Sequence, residues 1–167
     1  MRPRVDVLAA DAADVVNSAG GWLFERAWAG WQVTVFLAEH GDARPLRILG
    51  ARVAPLESAL TRPQLVHKTF LVAAAAELAG SHHHVRARLD RALKDGDGHV
   101  IVWGDTWPVG LDRRVEKYQH RLSPAALAFK AHALQAASVN EPVIETEQFR
   151  CRMKSVGASD WDLSRIG

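Results

Sequence analysis

The chain of 167 residues carries 21 Lys and Arg against 19 Asp and Glu, is 48% hydrophobic and has one cysteine. A chain of this length buries roughly two-thirds of the surface it would expose unfolded, so it needs no disulfide framework or structural metal to hold it. Composition excludes a disulfide-rich scaffold and a low-complexity chain, and the lone Cys151 fits a reducing compartment.

The longest uncharged apolar run, TFLVAAAA from Thr69 to Ala76, is less than half the roughly 20 residues of a membrane span and is expected to be a buried helix. Near the N-terminus, Asp6, Asp11 and Asp14 interrupt what would have to be the apolar centre of a secretion signal. A cytoplasmic protein without membrane attachment is the expectation. Residues 62–121 hold ten basic and seven acidic side chains and the flanking segments are near balance, so the basic excess is mild and central.

Apolar residues at Leu8, Ala12, Val15, Val16, Ala19, Leu23 and Ala27 follow helical spacing, which predicts a helix from about 6 to 29, interrupted at Gly20 and Gly21. The run from Trp31 to Glu39 is β-branched and aromatic on both parities and reads as a strand covered on both faces. His40, Gly41, Asp42 and Pro45 mark a turn. A short strand at Leu46–Leu49 and a short helix over 51–60 follow. Pro63 opens an apolar helix expected to reach Ala79, and Ser81 would cap the next one. DGDG at 95–98 ends that helix, and His99 to Trp103 is the second clear strand.

Leu111, Val115, Tyr118 and Leu122 recur at helical spacing. Ser123 and Pro124 are a cap and a first position for a helix over 124–138, which Asn140 and Pro142 end. In Gln148–Lys154, Phe149, Cys151 and Met153 alternate with Arg150, Arg152 and Lys154, the period of a half-exposed strand, with charges suited to a sheet edge. Strands separated by helices give an α/β class: a single layered domain over residues 1–156, with a small, mainly parallel or mixed sheet covered by helices. Residues 157–167 form a loosely held tail, with Trp161 as its anchor.

No metal site and no cofactor are expected. Consecutive His82, His83 and His84 point in different directions on a helix, whereas side chains that share an ion sit at i and i+4. Neither glycine-rich fragment matches a phosphate loop, no GxSxG elbow occurs, and Cys151 reads as a small core residue. Arg113, Arg114, Lys117 and Arg121 form a central basic group, with 114, 117 and 121 spaced to share a helix face that phosphates could meet, although Asp112 and Glu116 lie among them.

Open α/β sheets bind ligands at the carboxyl ends of their strands. Both clear strands end in chemistry-bearing turns: Glu39 and His40 after the first, and Asp105 and Thr106, bracketed by Trp103 and Trp107, after the second. Parallel pairing would bring these residues to one edge as a ligand site. The absence of standard catalytic patterns favours a small binding or regulatory protein that acts through a protein or small-ligand interface. It would self-associate through the terminal strand or the Trp-rich first helix. The alternatives are a hydrolase-like enzyme that uses Glu39, His40 and Asp105, and a nucleic-acid-associated regulator that uses the basic group.

If the histidine triplet holds no structural metal, a chelator leaves the thermal midpoint nearly unchanged. A folded-state metal would add stability by mass action, so a large drop in the midpoint on chelation would show one.

Overall fold

In the computed structural model, residues 3–61, 70–94, 99–106, 110, 115–152 and 163–166 are described. Eight strands form one sheet: Arg4–Ala9 (β1), Gln32–Leu37 (β2), Arg52–Pro55 (β3), Phe70–Ala75 (β4), His99–Trp103 (β5), Glu116–Arg121 (β6), Thr146–Arg152 (β7) and Ser164–Arg165 (β8). Their order is β3-β2-β1-β4-β5-β7-β6-β8. The first five run parallel, whereas β7 is antiparallel to both β5 and β6, and β8 is antiparallel to β6. The α/β class and the mixed, mainly parallel sheet are therefore as expected from the sequence.

Six helices cover the sheet: Ala12–Trp28 (α1), Arg44–Ile48 (α2), Leu56–Thr61 (α3), Ala76–Ser81 (α4), His83–Lys94 (α5) and Pro124–Ala136 (α6). Helices α1, α2 and α6 pack on one another, as do α3 and α4 with α5. Right-handed crossovers leaving β1 and β4 in opposite directions put these two groups on opposite faces. No helix among the described residues is long and apolar enough to cross a membrane.

Several local expectations give way to tertiary context. Residues 4–9 are strand and not the start of a helix, because Val5, Val7 and Ala9 are fully buried between β2 and β4. The helix starts only after Asp11, whose side chain accepts the Asp14 N–H at 2.9 Å as an N-cap. Residues 44–48 are helical with Pro45 in the first turn, and the strand expected at 46–49 lies instead at 52–55. Alanine-rich 70–75 is the central strand β4, not a helix. Small side chains suit a strand covered by helices on both faces. Gly80 lies inside α4 and does not end a helix.

Residues 116–121 alternate exposed and buried as β6, so the helical spacing of Val115, Tyr118 and Leu122 is coincidental. The basic helix face does not exist at Lys117 and Arg121, and Arg113 and Arg114 lie outside the described residues. Strand β7 is as expected in its alternation, but it is flanked on both sides and is no edge. Of the expected tail, Trp161 lies outside the described residues. Leu163 is buried and Ser164–Arg165 pair with β6.

Helix α1 runs unbroken through Gly20 and Gly21. There the Gly21 and Trp22 N–H groups donate to the two oxygens of Glu147 on β7, at 2.8 and 2.7 Å. Lys130 of α6 completes the cluster, donating at 2.7 Å to both Glu147 and the Asn17 carbonyl. A Cβ at Gly21 would lie 2.4 Å from Leu122 side-chain carbons, so only glycine lets the strand end come this close. Burial pushes the Glu147 carboxyl upward, against the pull of Lys130 and the two N–H groups.

Lys130→Met strands this carboxylate without a counter-charge, and urea unfolding at pH 7 is expected to show a loss of about 3–5 kcal/mol. Because the folded carboxyl binds its proton more readily than the unfolded one, the deficit shrinks as pH falls toward the ordinary glutamate value of 4.5 and grows as pH rises through the folded value. Adding Glu147→Leu recovers only part of the loss, because the Gly21 and Trp22 N–H groups then lose their acceptor.

Candidate functional site

In an open parallel sheet the binding crevice lies beyond the carboxyl ends of the strands, where neighbouring connections leave in opposite directions. Here that place is between β1, whose chain turns toward β2, and β4, whose chain turns toward β5. The first turn of α1 stands over it. Asp14 lies in that turn, part-exposed, where the positive end of the helix dipole favours a carboxylate. The indole Nε1–H of Trp103, at the end of β5, donates to Asp14 at 3.0 Å, and the Ser18 hydroxyl donates at 3.2 Å. One carboxylate is thus oriented by two donors, one of them from across β4.

Trp103 was expected to bracket the ligand-binding turn after β5. It is 2% exposed, and its polar edge holds Asp14. Gly104, at φ 120°, follows it and passes close to Ala76 at the start of α4. Asp105 and Thr106 are exposed beyond it, and Trp107 lies outside the described residues. Glu39 and His40 emerge exposed from the end of β2, on the same edge as Asp105 because β2, β1, β4 and β5 are parallel. Three strand spacings separate β2 from β5, about 14 Å, so the two groups flank the crevice and do not touch. Asp14 stands between them, while the Glu39 N–H bonds to the Ala10 carbonyl at 2.9 Å.

A second polar cluster lies on the α1 face of β6 and β7. His120, 2% exposed, pairs with Glu25 of α1, which also accepts the Ser123 N–H at 3.3 Å. Both residues border an open cleft of about 490 Å³. The reading from sequence missed Asp14, Glu25, Lys130 and Glu147. Asp14, Ser18, Gly21 and Glu25 follow the spacing i, i+4, i+7 and i+11, a polar stripe within an apolar helix. That was the available signal.

The rings of His82 and His83 lie 6.5 Å apart and those of His83 and His84 4.0 Å apart, at the start of α5. Among the described residues no three His, Cys, Asp or Glu side chains are gathered as a metal ligand set. Cys151 is buried on β7, and burial pushes its thiol far up.

No protein-family model matches the chain and no curated protein resembles it closely enough to count. Solved structures share the fold. The A40926 pseudoaglycone deacetylase superposes with a TM-score of 0.58 at 15% identity, covering 94% of this chain and 100% of that one. A triple mutant of a deacetylase of the teicoplanin biosynthetic pathway gives 0.54 at 14%, covering 92% and 100%. The 4-carboxy-2-hydroxymuconate hydratase of Pseudomonas putida gives 0.50 at 13%, covering 93% and 98%. All three are enzymes, which turns the expectation of a regulatory or ligand-binding protein without chemistry of its own toward the enzymatic alternative.

A buried thiol of raised pKa presents almost no thiolate. Cys151 is therefore expected to react with a thiol reagent far more slowly in the native protein than in denaturant. Equal rates would contradict its placement.

Proposed function

We propose that this chain is a hydrolase-like enzyme that brings water and a small polar substrate together at the carboxyl edge of its parallel strands. The observation that carries the reading is Asp14, a part-exposed carboxylate at the switch between β1 and β4, fixed by the Trp103 indole and the Ser18 hydroxyl. A carboxylate held in one orientation at a crevice is suited to take a proton from water and return it to a leaving group. Asp105 on one side, and Glu39 and His40 on the other, are exposed and available to polarise the substrate or exchange protons with solvent.

The fold neighbours support this class. Removal of an acetyl group and hydration of an unsaturated acid both consume water. A substrate with an acetyl group or an unsaturated carboxylic acid is therefore the first to try. The lone cysteine, buried and unable to bridge within the chain, supports a cytoplasmic setting.

The purified protein should release acetate from an acetylated substrate or hydrate an unsaturated carboxylic acid. Asp14→Asn is expected to lower kcat/KM by about 100-fold or more, the usual contribution of a positioned acid or base. Trp103→Phe keeps the ring and deletes the donor, and should lower kcat with KM little changed. Asp105→Asn, on an exposed loop, gives a variant whose folding is not at issue. Parental turnover in Asp14→Asn, or no turnover on either substrate class, would overturn the proposal.

A further inference from the structure

Helix α6 packs on α1 and α2, and its inner side is set by the buried Ala126, Lys130, Ala133 and Leu134. The opposite stripe, Ala125, Ala128, Phe129, His132 and Gln135 at i, i+3, i+4, i+7 and i+10, is exposed and holds no Lys, Arg, Asp or Glu. A helix side left to water is normally charged, as on α5, where Arg91 and Lys94 are exposed. Beside this stripe stand three rings from two helices. Phe24 of α1 is buried and stacks on Phe129, with centroids 4.4 Å apart and planes 19° apart, and on Trp28, at 6.0 Å and 29°. Trp28, at the end of α1, is 81% exposed and Phe129 is 40% exposed. Two of the four exposed large hydrophobic side chains among the described residues thus flank one buried ring.

We propose that this surface is a dimer interface, at which α6 and the end of α1 pack against the same elements of a second copy of the chain about a two-fold axis. Self-complementarity identifies the occupant. In a two-fold pair one patch meets itself, so an exposed charge near its centre meets its own sign. A patch of rings and alanines carries no such conflict, and it offers a charged partner nothing to pair with. Alanine at 125 and 128 lets two helices approach closely, while Phe129 and Trp28 supply flat rings beside the crossing for the rings of the other copy. The exposed area of Trp28, Phe129 and the rest of the stripe is on the order of 600 Å² per copy, about 1,200 Å² for the pair, which reaches the lower bound of a specific interface. An association of that size is reversible and depends on concentration. The interface uses none of Asp14, Glu39, His40 or Asp105, so it goes beyond the enzymatic reading and stands or falls without it.

The test is the mass of the intact protein in solution, followed by analytical ultracentrifugation from about 1 to 200 µM. The parent is expected to pass from monomer to dimer within this range. Ala128→Arg brings a cation into the contact from both copies, and Trp28→Gln removes the largest exposed ring. Each is expected to weaken dimerisation about tenfold or more. Both positions are exposed, so folding is not at issue. Arg91→Gln on α5, an equally exposed change away from the patch, is expected to leave the mass distribution unaltered. A parent that stays monomeric at the top of the range would overturn the proposal. So would a dimer that persists undiminished in both Ala128→Arg and Trp28→Gln, since its contact then lies elsewhere, as at a sheet edge. Binding of the monomer to neutral phosphatidylcholine vesicles, lost in Trp28→Gln and without any dimer, would overturn it in favour of a membrane surface.

Discussion

A buried ion pair ties together the three elements on which one face of the sheet depends. Glu147 of β7 takes two backbone N–H groups from the middle of α1 and the ammonium of Lys130 from α6. Lys130 is the only charged residue of α6 apart from a histidine, and it is 2% exposed. Buried ion pairs of this kind contribute little net stability compared with an apolar replacement, yet they are costly when broken. Their effect here is specificity. A carboxylate that needs three donors is satisfied in one seating only, so the helix cannot slide along the strand without leaving buried groups unpaired.

With its middle held, α1 acts as a ruler across the sheet. At about 1.5 Å rise per residue, its first turn reaches the crevice between β1 and β4 while its last turns lie against β6. Asp14 meets Trp103 of β5 at one end, and Glu25 meets His120 of β6 at the other. The polar stripe on this helix therefore records three separate attachments. Trp22 lies against Phe149, with ring centroids 5.9 Å apart, and fills the space between them. Fold likeness to deacetylases and a hydratase fixes the architecture alone. Its own side chains decide what chemistry is available at the edge.

The sheet has two structural halves. Parallel strands β1, β2, β4 and β5 are buried on both faces along most of their length, β3 is a partly exposed edge, and the free carboxyl ends of β1 and β4 flank the crevice. The antiparallel β6 and β7 bury one face, and on the other Lys117 stands directly across the ladder from the half-buried Arg150. The two halves meet at Trp103–Asp105, where the loop after β5 borders the exposed face on one side and the first turn of α1 on the other.

Sequence alone determined the features whose cause is local. Val and Ile density placed β5, the Ser123 and Pro124 pair placed the start of α6, and alternation placed β7 and buried Cys151. It also put chemistry-bearing turns after β2 and β5, because turn formers follow strands wherever the sheet lies. What it could not decide was set by partners distant in the chain. Residues 70–75 are a strand because β1 and β5 supply hydrogen bonds on both sides, which outweighs the helix preference of alanine. Residues 116–121 are a strand because β7 pairs with them, and only that pairing brings Lys117 opposite Arg150. Strand order decided that Glu39 and Asp105 share an edge with Asp14 between them. The 126 positions that separate Gly21 from Glu147 put the central interaction of the fold beyond the reach of any local pattern.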